Sequence, residues 1–307
     1  MKNRIIILLI AIFSFISCSN DDNSSSDSEL LLEGVNIQTL SHDGLTREYY
    51  IYIPDSYDGS LEFPLILNFH GYGGDPLSQL YIADMRMLAD SENFILVYPQ
   101  GSPENGDGSN NEKDGFLWNT MLPSDSNKSN ADDFGFIEEL INEISSNYNL
   151  DQSRVYACGY SNGAGFSYSL ACYLSDKIAA IGSVSGLMWE GVKTTCNPTH
   201  PTAVISFNGT SDNVRPYDGI EDYLLSVDDM LNYWVGYNKI SDSPLKKTVN
   251  PMVEHYIYSG GDQGVSLEHY KIIKGRHDWF EIKNEGSNIN SLIWEFLSRF
   301  DLNGLRE

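Results

Sequence analysis

Basic residues are scarce in this chain. Its 307 residues hold 19 Lys and Arg against 43 Asp and Glu, a formal charge of −24, and no basic run is longer than Lys246-Lys247. A protein that neutralises nucleic-acid phosphates needs a basic face, so that class of partner is excluded. The apolar run from Ile5 to Ile16 is only 12 residues, too short to cross a bilayer. Cysteine is limited to four residues and histidine to six, and no segment repeats. What the chain does have is 41% hydrophobic residues, enough for a full core and too many for global disorder.

Lys2 and Arg4 ahead of the apolar run suit a secretory signal peptide over residues 1–17. The run ends at Ile16-Ser17-Cys18. A small residue before a Cys at this place resembles the bacterial lipobox, with Phe15 where Leu is usual, and marks Cys18 for lipidation. Residues 18–33 are polar and acidic and read as a flexible tether. The expected protein is therefore exported, as an outer-membrane or cell-surface lipoprotein, the alternative being a soluble secreted or periplasmic one. Its only membrane contact would be the lipid at Cys18.

Beyond residue 33 one domain, 34–307, is expected. Apolar runs near Arg47–Ile53, Pro64–Phe69, Phe94–Tyr98, Arg154–Cys158, Ala179–Val184 and Ala203–Asn208 read as strands, with two later ones near Val253–Tyr258 and Leu267–Ile273. Helical stretches lie between them at Phe134–Tyr148, Asn162–Leu174, Ser226–Tyr237 and Ser287–Phe300. Alternating strands and helices predict an α/β fold, a mostly parallel central sheet with helices on both faces. The segment 100–133 breaks the rhythm with Gly, Ser, Asn and Asp. Its Asp107–Glu112 stretch superficially suggests a calcium loop, but Glu112 stands where such a loop needs Gly. No metal and no organic cofactor is expected. Trp118 in this segment is open to two readings, a platform for substrate or the loop's own anchor.

The strongest local signal is Gly159-Tyr160-Ser161-Asn162-Gly163, a G-x-S-x-G sequence with a strand before it and a helix after it. That is the setting of a nucleophile elbow, which lifts a serine above the sheet at a helix N-terminus. A serine hydroxyl needs a base within hydrogen-bond reach and a carboxylate to orient that base. In this chain order the acid follows a later strand, where Asp212 is the best candidate and Asp218 and Asp222 are the fallbacks. The base follows the last strand, where His277 fits. His42, His200, His255 and His269 suit that role less well. His70-Gly71-Tyr72-Gly73-Gly74 follows another strand and is suited to supply an oxyanion donor, the Tyr72 N–H, with the Asn162 N–H as the second.

Five segments together resemble the polyhydroxybutyrate depolymerase and feruloyl esterase group of α/β-hydrolases, close to carbohydrate esterase family 1. They are His70–Gly74, Asp132–Phe136, Gly159–Gly163, Asn208–Tyr217 and Gly275–Trp279. The resemblance spans roughly residues 40–300 and implies Ser161 as nucleophile, Asp212 as acid, His277 as base, and Tyr72 with Asn162 as oxyanion donors. Arg276 and Phe280 depart from the group, which usually has glycine before its His and proline after its Trp, so the mouth of the site is expected to differ. Trp279 and Trp118 are the candidate substrate contacts. Of the cysteines beyond Cys18, Cys158 ends a core strand and reads as a small buried apolar side chain. The resemblance suggests a Cys172–Cys196 bridge.

The function expected is a serine esterase acting on hydroxycinnamoyl or acetyl esters of plant polysaccharide. The alternatives are a polyester-oligomer depolymerase and an inactive surface binder with the same fold. The segment 100–133 holds seven acids and two bases, so it is also expected to rim the site and repel anionic substrates.

Overall fold

The computed structural model describes residues 31–104, 115–124 and 127–307. The signal segment and Cys18 lie outside the described residues, as does the whole Asp107–Glu112 stretch. The chain divides into two units, 1–33 and 34–307, and every strand and helix named below belongs to the second.

The strands are β1 (Val35–His42), β2 (Leu45–Tyr52), β3 (Phe63–Phe69), β4 (Ile95–Pro99), the two-residue pair β5 (Ser102–Pro103) and β6 (Phe116–Leu117), β7 (Leu150–Tyr160), β8 (Ala180–Val184), β9 (Ala203–Gly209), β10 (Leu245–Asn250), β11 (Val253–Tyr258) and β12 (Leu267–Ile272). Ten of them form one sheet in the order β1-β2-β4-β3-β7-β8-β9-β12-β11-β10. The six from β4 to β12 run parallel, and the antiparallel pairs β1-β2 and β11-β10 extend the two edges. Helices connect the parallel strands: α1 (Pro76–Ile82), α2 (Arg86–Glu92), α3 (Asp133–Asn147), α4 (Asn162–Tyr173), α5 (Glu190–Thr195) and α6 (Val227–Tyr237), with α7 (Ile289–Leu297) after the last strand. This is the α/β-hydrolase fold.

Burial explains which strands the sequence reveals. Every residue of β3, β4, β8 and β9 is buried, so each is a mostly apolar run covered on both faces, broken only by buried Asn68, Ser183, Ser206 and Asn208. The edge strands β1 and β10 are largely exposed and polar and were not anticipated. Lys246 and Lys247 in β10 place charge on an edge that would otherwise invite another strand. Helices α1 and α2 also went unread. Each is seven residues long, too short for a periodic pattern, although α1 carries a full capping box in which Asp75 and Ser78 bond each other's backbone.

Helix α3 does show the expected apolar face, with Phe136, Ile137, Leu140, Ile141 and Ile144 buried. Its N-terminus is where the long segment 100–133 is tied to the sheet. Asp133 is fully buried and pairs with Arg47 of β2, itself 2% exposed. The same carboxylate accepts from the Asn119 N–H at 2.7 Å and from Ser102 Oγ at 3.3 Å. One buried ion pair thus gathers β2, α3 and both arms of the segment. Beside it, His42 at the end of β1 donates to Glu139 at 2.7 Å and meets Asp132, the α3 cap, at 3.1 Å.

Asp133→Ala leaves the Arg47 guanidinium buried without its partner and is expected to cost roughly 3–5 kcal/mol in urea unfolding, whereas the double change Arg47→Met with Asp133→Leu recovers most of it. Burial alone would lower the His42 pKa, but its bonds to Glu139 and Asp132 outweigh this and raise it. A raised histidine stabilises fully below its ordinary value of about 6.5 and loses that contribution as pH rises through the folded value. The Tm gap between wild type and His42→Gln is therefore expected to be larger at pH 5.5 than at pH 9 in differential scanning calorimetry.

Candidate active site

Four loops meet above the carboxyl ends of neighbouring parallel strands: His70–Gly74 after β3, Ser161 after β7, Asp212 after β9 and His277 after β12. In open α/β sheets this edge is where ligands bind. Ser161 adopts φ 53° and ψ −110° between β7 and α4, a strained backbone of the kind that persists only where surrounding structure enforces it. The enforcement is visible at the flanking glycine. A Cβ on Gly163 would come within 2.4 Å of the Phe69 carbonyl oxygen and 2.5 Å of that of His70. The elbow is thus pressed directly against the end of β3 and the start of the His70–Gly74 loop.

Asp212 and His277 approach each other by a second close backbone contact. A Cβ on Gly209 would lie 2.3 Å from the Gly275 carbonyl oxygen, and the Ser211 N–H donates to that same oxygen at 2.9 Å. With the two turns so joined, His277 Nδ1–H donates to Asp212 Oδ2 at 2.7 Å and Ser161 Oγ donates to His277 Nε2 at 2.8 Å. Burial alone would raise the Asp212 pKa. Its bonds from His277 and from the backbone N–H groups of Arg215 and Val214 outweigh burial and hold the carboxyl below its ordinary range. Asp218 and Asp222, the fallback acids, are exposed at the surface.

The His70 side chain is buried and holds the oxyanion loop. It donates from Nδ1 to the Gly71 carbonyl at 2.7 Å, and its Nε2 accepts from the Gly101 N–H at 2.9 Å. Burial lowers its pKa to about 4, so the ring is neutral and its two bonds are fixed. Gly73 N–H donates to Phe116 and Gly74 N–H to Gly71, and among the described residues the N–H of Tyr72, just before them, has no backbone acceptor. The Asn162 N–H opens α4, where the first amides lack intrahelical acceptors. The Asn162 side chain turns the other way: the Trp118 N–H donates to its Oδ1 at 2.7 Å and its Nδ2 donates to the Trp118 carbonyl at 3.1 Å.

The two tryptophans fall in different places. Trp118 is 1% exposed, stacked on Phe166 and edge-on to Phe69. It is the anchor of its segment and part of the floor of the site rather than an open platform. Trp279 lies outside the cavity that contains Ser161. It lines a separate depression with Tyr160 and Phe280, and its indole donates to Asn290 at 3.1 Å. The residues to which the sequence reading gave no site role include several that line the Ser161 cavity along with Tyr72 and Trp118, among them Lys128, Trp189, Val214, Arg215 and Tyr223. At about 220 Å³ it is smaller than the ~300–1,000 Å³ of common ligand pockets, so it takes one end of a substrate and leaves the rest outside. Cys172 and Cys196 are disulfide-bonded, and Cys158 is a buried thiol.

The three described acids of the expected rim are all engaged elsewhere. Asp133 is buried with Arg47, Asp132 caps α3, and Glu104 pairs with Lys128 at 3.0 Å. Asp107, Glu112, Asp114 and Asp125 lie outside the described residues.

The phospholipase/carboxylesterase family profile matches residues 60–224, over half of the chain. The chain belongs to that family. Among curated relatives of this carboxylesterase-family chain, a bifunctional acetylxylan esterase/xylanase of Neocallimastix patriciarum is 27% identical over 261 residues, 85% of this chain and 34% of that protein. A probable feruloyl esterase C of Aspergillus niger is 30% identical over 182 residues, 56% of this chain and 57% of that one. The chain thus spans less than two thirds of either relative. An acetyl xylan esterase from Aspergillus awamori matches in structure with a TM-score of 0.61 at 16% identity, covering 86% of this chain and 99% of the other. A ferulic acid esterase from Anaeromyces mucronatus matches with a TM-score of 0.52 at 14% identity, over 87% and 90% of the two chains. These two likenesses establish the fold.

Gly209→Ala is expected to keep the sheet but push the Asp212 turn away from the His277 loop. The expected readout is a fall of about 100-fold or more in kcat toward an activated ester, since small misplacements in such sites cost this much, with little change in the far-ultraviolet circular dichroism.

Proposed function

We propose that the chain is a serine hydrolase of carboxylic esters, acting on hydroxycinnamoyl or acetyl esters of plant polysaccharide. The observation that carries this reading is the unbroken hydrogen-bonded line from Asp212 through His277 to Ser161. His277 takes the Ser161 proton as Oγ attacks the ester carbonyl, and Asp212 holds the imidazole in the tautomer that can accept it and stabilises the resulting imidazolium. The Tyr72 and Asn162 amides receive the charge that develops on the carbonyl oxygen. His277 then returns the proton to the departing alcohol, and water repeats the sequence to free the acid. Family membership supports ester hydrolysis, and the names of the relatives, acetylxylan and feruloyl esterases, support the substrate class. The apolar run ahead of Cys18 supports export and a lipid anchor. Among the described residues no helix is long and apolar enough to cross a membrane.

A fluorophosphonate is expected to label the wild type and leave Ser161→Ala unlabelled, and Ser161→Ala is expected to lose roughly a millionfold in kcat. Equal labelling of both proteins would end the serine-hydrolase reading. Methyl ferulate, acetylated xylan and hydroxybutyrate oligomers, assayed side by side, decide the substrate class: cleavage of the oligomers alone would overturn the polysaccharide assignment.

A further inference from the structure

The Ser161 cavity contains a cation that the triad does not use. Arg215 lines it, partly buried, with its guanidinium 6.0 Å from the Trp189 ring and with Tyr223 in the same wall. Arg47, Arg86, Arg154 and Arg299 each meet a carboxylate. Among the described residues none lies within ion-pair distance of Arg215, in a chain with more than twice as many acids as bases. Asp212, three positions earlier, spends its oxygens on His277 and on the backbone N–H groups of Val214 and Arg215. Lys128, the cavity's other cation, is already engaged: Glu104 neutralises it, and its ammonium sits 4.7 Å over the Tyr72 ring.

A guanidinium beside the touching rings of Trp189 and Tyr223, at the wall of a small cavity, is prepared for a planar anion, because its fork of N–H donors matches a carboxylate. The net charge of the chain does not cancel this. Charges more than about 8 Å away are screened at physiological ionic strength, so the overall acidity slows the approach of an anion while contact with Arg215 governs its binding.

We propose that Arg215 is a specificity-determining residue that binds a carboxylate carried by the substrate outside the ester that Ser161 attacks. The favoured substrates are then esters beside an acidic group, such as a uronate unit of an acidic polysaccharide. This rests on the serine-esterase reading and reverses the expectation that acidic residues at the site exclude anions.

Two matched ester pairs test it, one with the carboxylate on the acyl side (mono-4-nitrophenyl glutarate against 4-nitrophenyl butyrate) and one with it on the alcohol side (4-acetoxybenzoate against its methyl ester). For at least one pair, the charged-to-neutral ratio of kcat/KM is expected to fall about tenfold or more in Arg215→Gln, mainly through KM, and to recover in part in Arg215→Lys. An unchanged ratio in both pairs would overturn the proposal. Calorimetric titration of Ser161→Ala with 4-hydroxybenzoate and with glucuronate tests Arg215 without turnover. Binding that disappears on adding Arg215→Gln supports the proposal, while undetectable binding or binding indifferent to that change overturns it. Failure of wild type to cleave any of the four esters would strike the esterase reading alone, since the titration still decides the role of Arg215.

Discussion

The contact on which the site depends is one between backbones. Gly163 lies so near the carbonyls of Phe69 and His70 that no side chain fits between them. This contact fixes the height of Ser161 above the sheet and, because the other partner leads into His70–Gly74, it sets the nucleophile and the oxyanion loop in one step. A side-chain contact would leave rotamer freedom of order 1 kcal/mol or more to be frozen for each long residue. A glycine against a carbonyl leaves none.

The Gly209–Gly275 approach repeats this device for Asp212 and His277. Hydrogen bonds then finish the placement that the close contacts begin. The neutral ring of His70 ties the oxyanion loop to Gly101, and the Asn162 amide ties α4 to Trp118. Since the segment bearing Trp118 is itself held by the buried Arg47–Asp133 pair, an ion pair in the body of the domain supports the floor beneath the nucleophile.

How much of this could be read from sequence follows from where each residue sits. The doubly covered strands were legible because burial on both faces leaves a run that is mostly apolar rather than alternating, as in β3 and β9. The edge strands β1 and β10 were not, because they are mostly exposed and their residues look like loop. Ser161, Asp212 and His277 stood out through local turn chemistry and chain order, and the structure brings the three together. Trp118 remained ambiguous because an aromatic in a polar segment serves either as anchor or platform until its neighbours Phe69 and Phe166 are known. Lys128 and Arg215 were given no role by the sequence, although Arg215 lies in the Asn208–Tyr217 segment. Their importance arises from which carboxylates they do and do not meet, and that is a property of the folded chain.

The thiol of Cys158 sits in β7 directly below the elbow, with burial pushing its pKa far up. A thiol must ionise to attack a disulfide, so this one is chemically silent while the sheet is intact. The Cys172–Cys196 bond is therefore shielded from exchange with the Cys158 sulfur. Of the three pairings open to the cysteines among the described residues, two would have to draw on a residue locked inside the sheet, so once the sheet forms only the Cys172–Cys196 pairing remains among them.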